Sequence, residues 1–539
     1  EFDRVYGNRM TSWYGWPLMK LNRFDEAKEK TERALMSPDE NNRTRALNTM
    51  GAIESTLDHA QAAFNLFVQL VDEVKSRHWE MQSAFLCNAG EAAMILNRFD
   101  DAEHYLIEAT EHFDTRSYSD PWELLSVLYA DEGRLPEAVD SVKRMHRWSR
   151  AREPALEQQS WAFEQQVSAE VLFALGYNDK GLDILRRVLD RPDRRGAVTG
   201  SADESESGLL MTVQYALRLR QAELGEQMSW IPFGKQWLAN WMERITLSRQ
   251  VWQADSRVAA LVVQNHRLEW SLRPYAADSS VVEWMRGDMC NVLGAGVTEA
   301  EVDRLLARDS QDASREEPYL QLIKGECELH RWAWRDARET LEKALPRLPA
   351  AEVLLHARGE ALLAQACQHM GDSQAAVDHL QRAMERFPGI VRALQMSIPV
   401  SILANGDAAC QEAARMLNHS PRFENVGGGF TIDVTTQGNS LTGSLRSPNG
   451  SVLCNVSSPM GTDAAESARQ FCLAFHNKAF ASQMDLSQTD ITSLDGSNQT
   501  GEAERRQLEQ ILTPGKGTPD DGLIPTPSPS TFDAHDLLR

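Results

Sequence analysis

The sequence lacks the short motifs that announce catalysis. It has no GxSxG, no HExxH and no phosphate-binding loop with lysine. Its GGG run at 427–429 lacks the preceding strand and following helix of a phosphate-binding turn. No apolar run reaches the ~18 residues a bilayer-spanning helix needs. Positive charge is in deficit: 56 Lys and Arg stand against 78 Asp and Glu, a net charge of −22. Such a surface repels phosphate backbones and anionic lipid, so nucleic acid is not expected as a partner. No enzyme activity, cofactor or metal is expected.

Cysteine is sparse and odd in number, with Cys87, Cys290, Cys327, Cys367, Cys410, Cys454 and Cys472 and no CxxC pair. Most stand in apolar, helix-like contexts and read as buried free thiols. Only Cys454 and Cys472 share the small C-terminal domain described below, and their pairing would require an oxidising compartment. Cys472 and His476 stand at i and i+4, a spacing that can hold a metal, but no third ligand is near in sequence. The chain begins EFDRVYGNRM without Met, which reads as a removed leader or a fragment of something longer. The compartment is therefore open. A cytoplasmic location is slightly favoured, and a periplasmic or other extracytoplasmic one stays in play.

What the sequence does contain is a repeated phrase. In GECELHRWAWRDARETLEKALPRLP, Gly325 is followed by Ala337 twelve residues on, Ala344 seven further and Pro349 five further. Ala376, Ala383 and Pro388 repeat the second half of that spacing. Towards the N-terminus, Gly15/Ala27/Ala34 and Gly90/Ala102/Ala109 keep both offsets, and Gly51/Ala63 keeps the first. Trp122 precedes Ala138 by sixteen. Two antiparallel helices that pack closely need small side chains where their axes approach, and Gly and Ala at fixed offsets supply them. NRFDEA, NRFDDA and GRLPEA read as the turns between paired helices. Pro349 and Pro388 read as stops.

These segments resemble tetratricopeptide repeats (TPRs), which implies a mostly α protein: an α-solenoid of stacked helical hairpins. The central Ala residues step by 36, 39 and 36, and again by 39 between Ala337 and Ala376, slightly longer than the family period of about 34. The reading divides the chain into an N-terminal array (1–195), an irregular Trp-rich helical segment (196–312) and a second array (313–422). A three-stranded β-meander with one helix (423–485) and a Pro-rich tail (486–539), expected to be disordered, follow. Residues 175–192 read as a degenerate repeat and 400–417 as a last one. The strands fall at 430–435, 441–446 and 451–456, by alternation between QGN and SPNG turns. A helix capped by Thr462 or Asp463 lays Ala468, Phe471, Cys472 and Phe475 over them.

The resemblance also implies a concave groove lined by the first helix of each hairpin. Glu326 and His330 in one repeat, and Gln365 and His369 in the next, fall at groove positions. Arg45, Asn48, Glu91 and Met94 hold comparable positions in the first array. The Lys/Asn/Arg clamp by which some family members grip a terminal carboxylate is not present. Trp230, Trp237 and Trp241 lie on one helical face at i, i+7 and i+11. That stripe reads either as a membrane-surface or partner contact, or as large aromatics filling gaps in an irregular solenoid; the acidity of the chain favours the second. The expected function is non-catalytic: a scaffold or adaptor, a subunit of a larger assembly, holding a partner protein in the groove. The alternative is the regulatory or targeting portion of an enzyme whose catalytic domain lies upstream of residue 1.

Overall fold

The computed structural model describes residues 11–494, apart from 22, 58, 76–80, 114–119, 150–153, 191–202, 265–289, 291–292, 308–312, 482–483 and 485. Trp270, Trp284 and the tail from residue 495 lie outside the described residues.

The first array is a run of helical hairpins. Its pairs are α1 (Thr11–Lys20) with α2 (Phe24–Leu35), α3 (Glu40–Thr56) with α4 (Ala60–Val74), and α5 (Gln82–Ile95) with α6 (Phe99–His112). They continue as α7 (Pro121–Asp131) with α8 (Leu135–Ser149), and α9 (Pro154–Ala174) with α10 (Asn178–Asp190). Two long helices, α11 (Asp203–Trp230) and α12 (Lys235–Gln264), pair next and carry no repeat signature. The polar run DESES at 203–207 thus forms the first turn and a half of α11 rather than a loop. After α13 (Ala295–Leu306) the second array pairs α14 (Ala313–His330) with α15 (Trp334–Ala344), and α16 (Val353–His369) with α17 (Ser373–Arg386). The architecture is mostly α, a TPR-like solenoid.

The small residues sit where the repeat spacing puts them. Ala27, Ala34, Ala63, Ala102, Ala109, Ala138, Ala337, Ala344 and Ala383 are all fully buried. Only Ala376 is half-buried. A Cβ added at Gly90 would come within 2.7 Å of Leu106, and one at Gly325 within 2.6 Å of Leu341, so each glycine is where the paired helix presses closest. Trp122 is half-buried, with the Arg144 guanidinium 4.7 Å above its ring.

The hairpin turns share one hydrogen-bonding scheme. The left-handed residue donates its N–H to the carbonyl three residues back, and the next N–H reaches five residues back. Gly133, Gly176 and Gly371 do this with φ of 69°, 87° and 81°, and Asn97 with 59°. Glycine suits the position because it carries no Cβ, and asparagine tolerates it.

The second array folds back on the first. Tyr319 Oη lies 2.9 Å from Asn97 Oδ1, Arg315 Nη1 donates to the Ile95 carbonyl, and Val353 packs over Gly133.

Residues after α17 depart from the expected helical repeat. A short helix, α18 (Gly389–Ala393), leads into β1 (Ile398–Asn405) and α19 (Ala408–Asn418). The segment read as a last helical unit at 400–417 is thus a strand and a helix. β1 runs parallel to both β2 (Phe423–Asn425) and β3 (Phe430–Gln437). β4 (Ser440–Arg446) and β5 (Val452–Pro459) complete the meander, giving five strands in the order β2-β1-β3-β4-β5 where three were expected. A parallel pair has no connecting turn to mark it in sequence, which is why β1 was not legible. Helix α20 (Ala464–Ala479) is capped by Asp463, which accepts from the Ala465 and Glu466 N–H groups. It buries Ala468, Phe471, Cys472 and Phe475 completely. All seven cysteines are free and buried. Beyond it, α21 (Gln488–Leu494) docks on α8, with Lys143 Nζ 2.5 Å from Asp490, so these residues of the expected tail are ordered structure.

A buried ionic cluster joins this α/β unit to the solenoid. Arg392 lies 3.1 Å from Glu226 and 3.3 Å from Glu223, and Arg422 lies 3.2 Å from Glu226. Charges taken out of water this completely persist only when paired.

Candidate functional site

Two consecutive hairpins of the second array place His330, Gln365 and His369 in one open pocket of about 380 Å³. Leu329, Gln368, Trp332, Trp334, Gln395, Met396 and Ser397 complete its lining. His330 and His369 are both exposed, and His369 stacks on Trp334 with ring centroids 4.0 Å apart and planes 12° apart. Leu329 and Met396 are buried and form apolar floor. No Asp, Glu, Lys or Arg lines this pocket, although the chain carries a net charge of −22.

Glu326 does not face that opening. It is buried and grips Arg358 with contacts of 2.5 and 2.7 Å. The pair ties α14 to α16, the helices that carry His330 and Gln365/His369, and so fixes the spacing of the pocket walls. The wall formed by Gln395, Met396 and Ser397 follows α18, whose Arg392 is held in the buried ionic cluster. A site on walls fixed this way is preorganised.

The comparable positions of the first array are used differently. Met94 is buried in the core. Asn48 accepts a 2.8 Å hydrogen bond from Asn88. Arg45 is half-buried, and burial lowers its guanidinium pKa against the opposing pull of Asp39. Glu91 is half-buried.

The Trp230/Trp237/Trp241 stripe divides. Trp230 is buried and stacks on His476 at 5.6 Å. Trp237 is half-buried against Phe233, its indole N–H donating to the Met228 carbonyl. Trp241 is exposed, as are Leu238, Met242, Ile245 and Trp252 along α12. Among the described residues no helix is long and apolar enough to cross a membrane.

His476 is a core residue rather than a surface partner of Cys472. Its Nδ1 is 2.8 Å from the Cys472 carbonyl and its Nε2 is 2.8 Å from Ser420 Oγ, so both ring nitrogens are engaged. Burial pushes its pKa down to about 3, with Arg392 and Arg422 adding to the shift.

The repeat step pointed to the two histidines and Gln365, and all three line the pocket. It did not point to Trp332 and Gln395. Both are left-handed, with φ of 65° and 53°, and both line the pocket. A signal for Trp332 was present: five residues before the central small residue, other units carry Asn97, Gly133, Gly176 and Gly371. Gln395 lies outside the repeat spacing, so no such signal marked it.

No protein-family model matches the chain, and no curated protein matches it. Similar solved structures include a monomeric mutant of IFIT1 with Gppp-AAAA (11% identity, covering 70% of this chain and 90% of that one, TM-score 0.32). Others are the APC/C hetero-tetramer Cut9–Hcn1 (12% identity, 73% and 84%, TM-score 0.24) and yeast Tom70 (10% identity, 73% and 95%, TM-score 0.22). Scores this low carry no argument for the present chain, whose fold assignment rests on its own hairpins.

Proposed function

We propose that this chain is a non-catalytic interaction scaffold, a subunit of a larger assembly, which holds a partner protein at the second array. The observation that supports the reading is the convergence of His330, Gln365 and His369 from two hairpins on one open, charge-free pocket with rigid walls. A stacked-hairpin array presents such positions at a fixed spacing, which suits an extended or helical peptide.

The test is capture of a stoichiometric partner from the native source. Replacing His330 and His369 together by Ala should abolish or strongly weaken capture while leaving the thermal midpoint within a degree or two, because both side chains are exposed. Undiminished capture by the double variant would contradict the reading.

A further inference from the structure

Five hairpin turns among the described residues share one hydrogen-bonding scheme, and a sixth turn, ending α18, repeats it. Trp332 donates its N–H to the Leu329 carbonyl and Ala333 to that of Glu328; Gln395 donates to Arg392 and Met396 to Val391. Four of the six left-handed positions hold Gly or Asn, as their backbone requires. The two that do not, Trp332 and Gln395, both line the same pocket. A Cβ in the left-handed region is costly, and a tryptophan there offers no compensating burial, since Trp332 is 77% exposed. A residue that works against the local fold and is left in solvent is accounted for by what it touches outside the chain.

The lining specifies the chemistry of that partner. With no Asp, Glu, Lys or Arg on the walls, a charged ligand meets no counter-ion. The chain's net charge of −22 disfavours a nucleotide. Gln365, Gln368 and Gln395 each carry amide donors and an acceptor, which suit exposed main-chain carbonyl and N–H groups. Trp332 and the stacked Trp334/His369 pair offer flat ring faces. A proline ring lies flat on such a face, has no N–H to leave unsatisfied, and arrives on a backbone already extended. Building on the scaffold reading above, we propose that the pocket takes an uncharged, proline-containing extended segment of a partner protein, with Trp332 as its principal contact.

The probe is a fluorescein-labelled synthetic peptide, GLIPTPSPSTF, an uncharged proline-rich stretch that this chain itself carries at 522–532. It is titrated with the full chain and followed by anisotropy. Saturable binding is expected, weakened at least tenfold by Trp332→Gly and at least tenfold when the three prolines of the peptide become alanine. Trp332→Gly should melt no lower than the parent, because glycine suits the turn, so its loss of binding cannot be ascribed to unfolding. Absent saturation, or equal binding by parent and Trp332→Gly or by the two peptides, would overturn the proposal. A full chain whose own Pro525, Pro527 and Pro529 are changed to alanine should bind the probe as the parent does. Binding at least tenfold tighter would mean that the chain's own segment fills the pocket, overturning its assignment to a partner. If the peptide fails while the double histidine variant still loses its native partner, this proposal falls and the scaffold reading stands.

Discussion

The two arrays use the same small-residue scheme for opposite ends. In the first, Met94 is in the core, Asn48 is bonded to Asn88, and Arg45 and Glu91 are half-buried. In the second, His330 and His369 are exposed over an apolar floor, and the buried Glu326–Arg358 pair beneath them holds the helices in place. The repeat therefore dictates which positions are adjacent. Whether an adjacent set becomes a site depends on what neighbouring elements cover. Here the second array's pocket is walled by Gln395–Ser397, the approach to the α/β unit, and left open.

The largest expected effect is at the junction that holds this wall. Glu226→Ala leaves Arg392 and Arg422 buried with Glu223 as the remaining carboxylate, and should cost about 3–5 kcal/mol in denaturant unfolding. Hydrogen exchange should rise at 389–397 while the 45–94 region keeps its protection; uniform loosening would contradict the distinction between the arrays.

Next comes the direct contrast. Met94→Ala removes a core side chain and should cost about 2–5 kcal/mol. His330→Ala should change stability by no more than about 0.5 kcal/mol. Similar costs at the two positions would show that both arrays spend them on packing.

The shared scheme itself is tested by overpacking. Ala102→Leu and Ala337→Leu should each lose about 1–3 kcal/mol, since both sites are fully buried. Ala376→Leu, at a half-buried site, should lose less. An unchanged midpoint for Ala337→Leu would mean that the helix register is wrong.

The effect that is smallest at neutral pH, and grows only on acidification, is the acid response of the α/β unit. His476 titrates near 3 when folded, against an ordinary value of ~6.5. As pH falls from about 6.5 to 3, the unfolded chain takes up a proton that the folded chain refuses. Stability is therefore lost in that window, by up to ~1.4 kcal/mol per pH unit from this group. His476→Gln should flatten the slope relative to the parent; parallel slopes would contradict a buried neutral imidazole.

How much of this was legible follows from the same physics. The hairpins were readable because close helix packing forces Gly and Ala into fixed offsets, as at Gly90/Ala102/Ala109. β3, β4 and β5 were readable because their side chains alternate between visible turns. β1 was not, because its partners β2 and β3 lie across a helix and a loop. The candidate site was half legible: the repeat step gave His330 and His369, while Gln395 and Met396 come from a segment with no repeat to align. Trp332 could have been found by asking which turn carried a large side chain five residues before the central small residue, where the other units carry Gly, Asn or Asp. Glu326 was read on the groove face, since periodicity does not show that its carboxylate is buried against Arg358.

Hydrogen exchange of the purified chain with and without its native partner tests the central claim most directly. The account predicts new protection at 329–334, 365–369 and 395–397, with little change at 45–48 and 91–94. Protection confined to the first array, with none around Trp332, would contradict it.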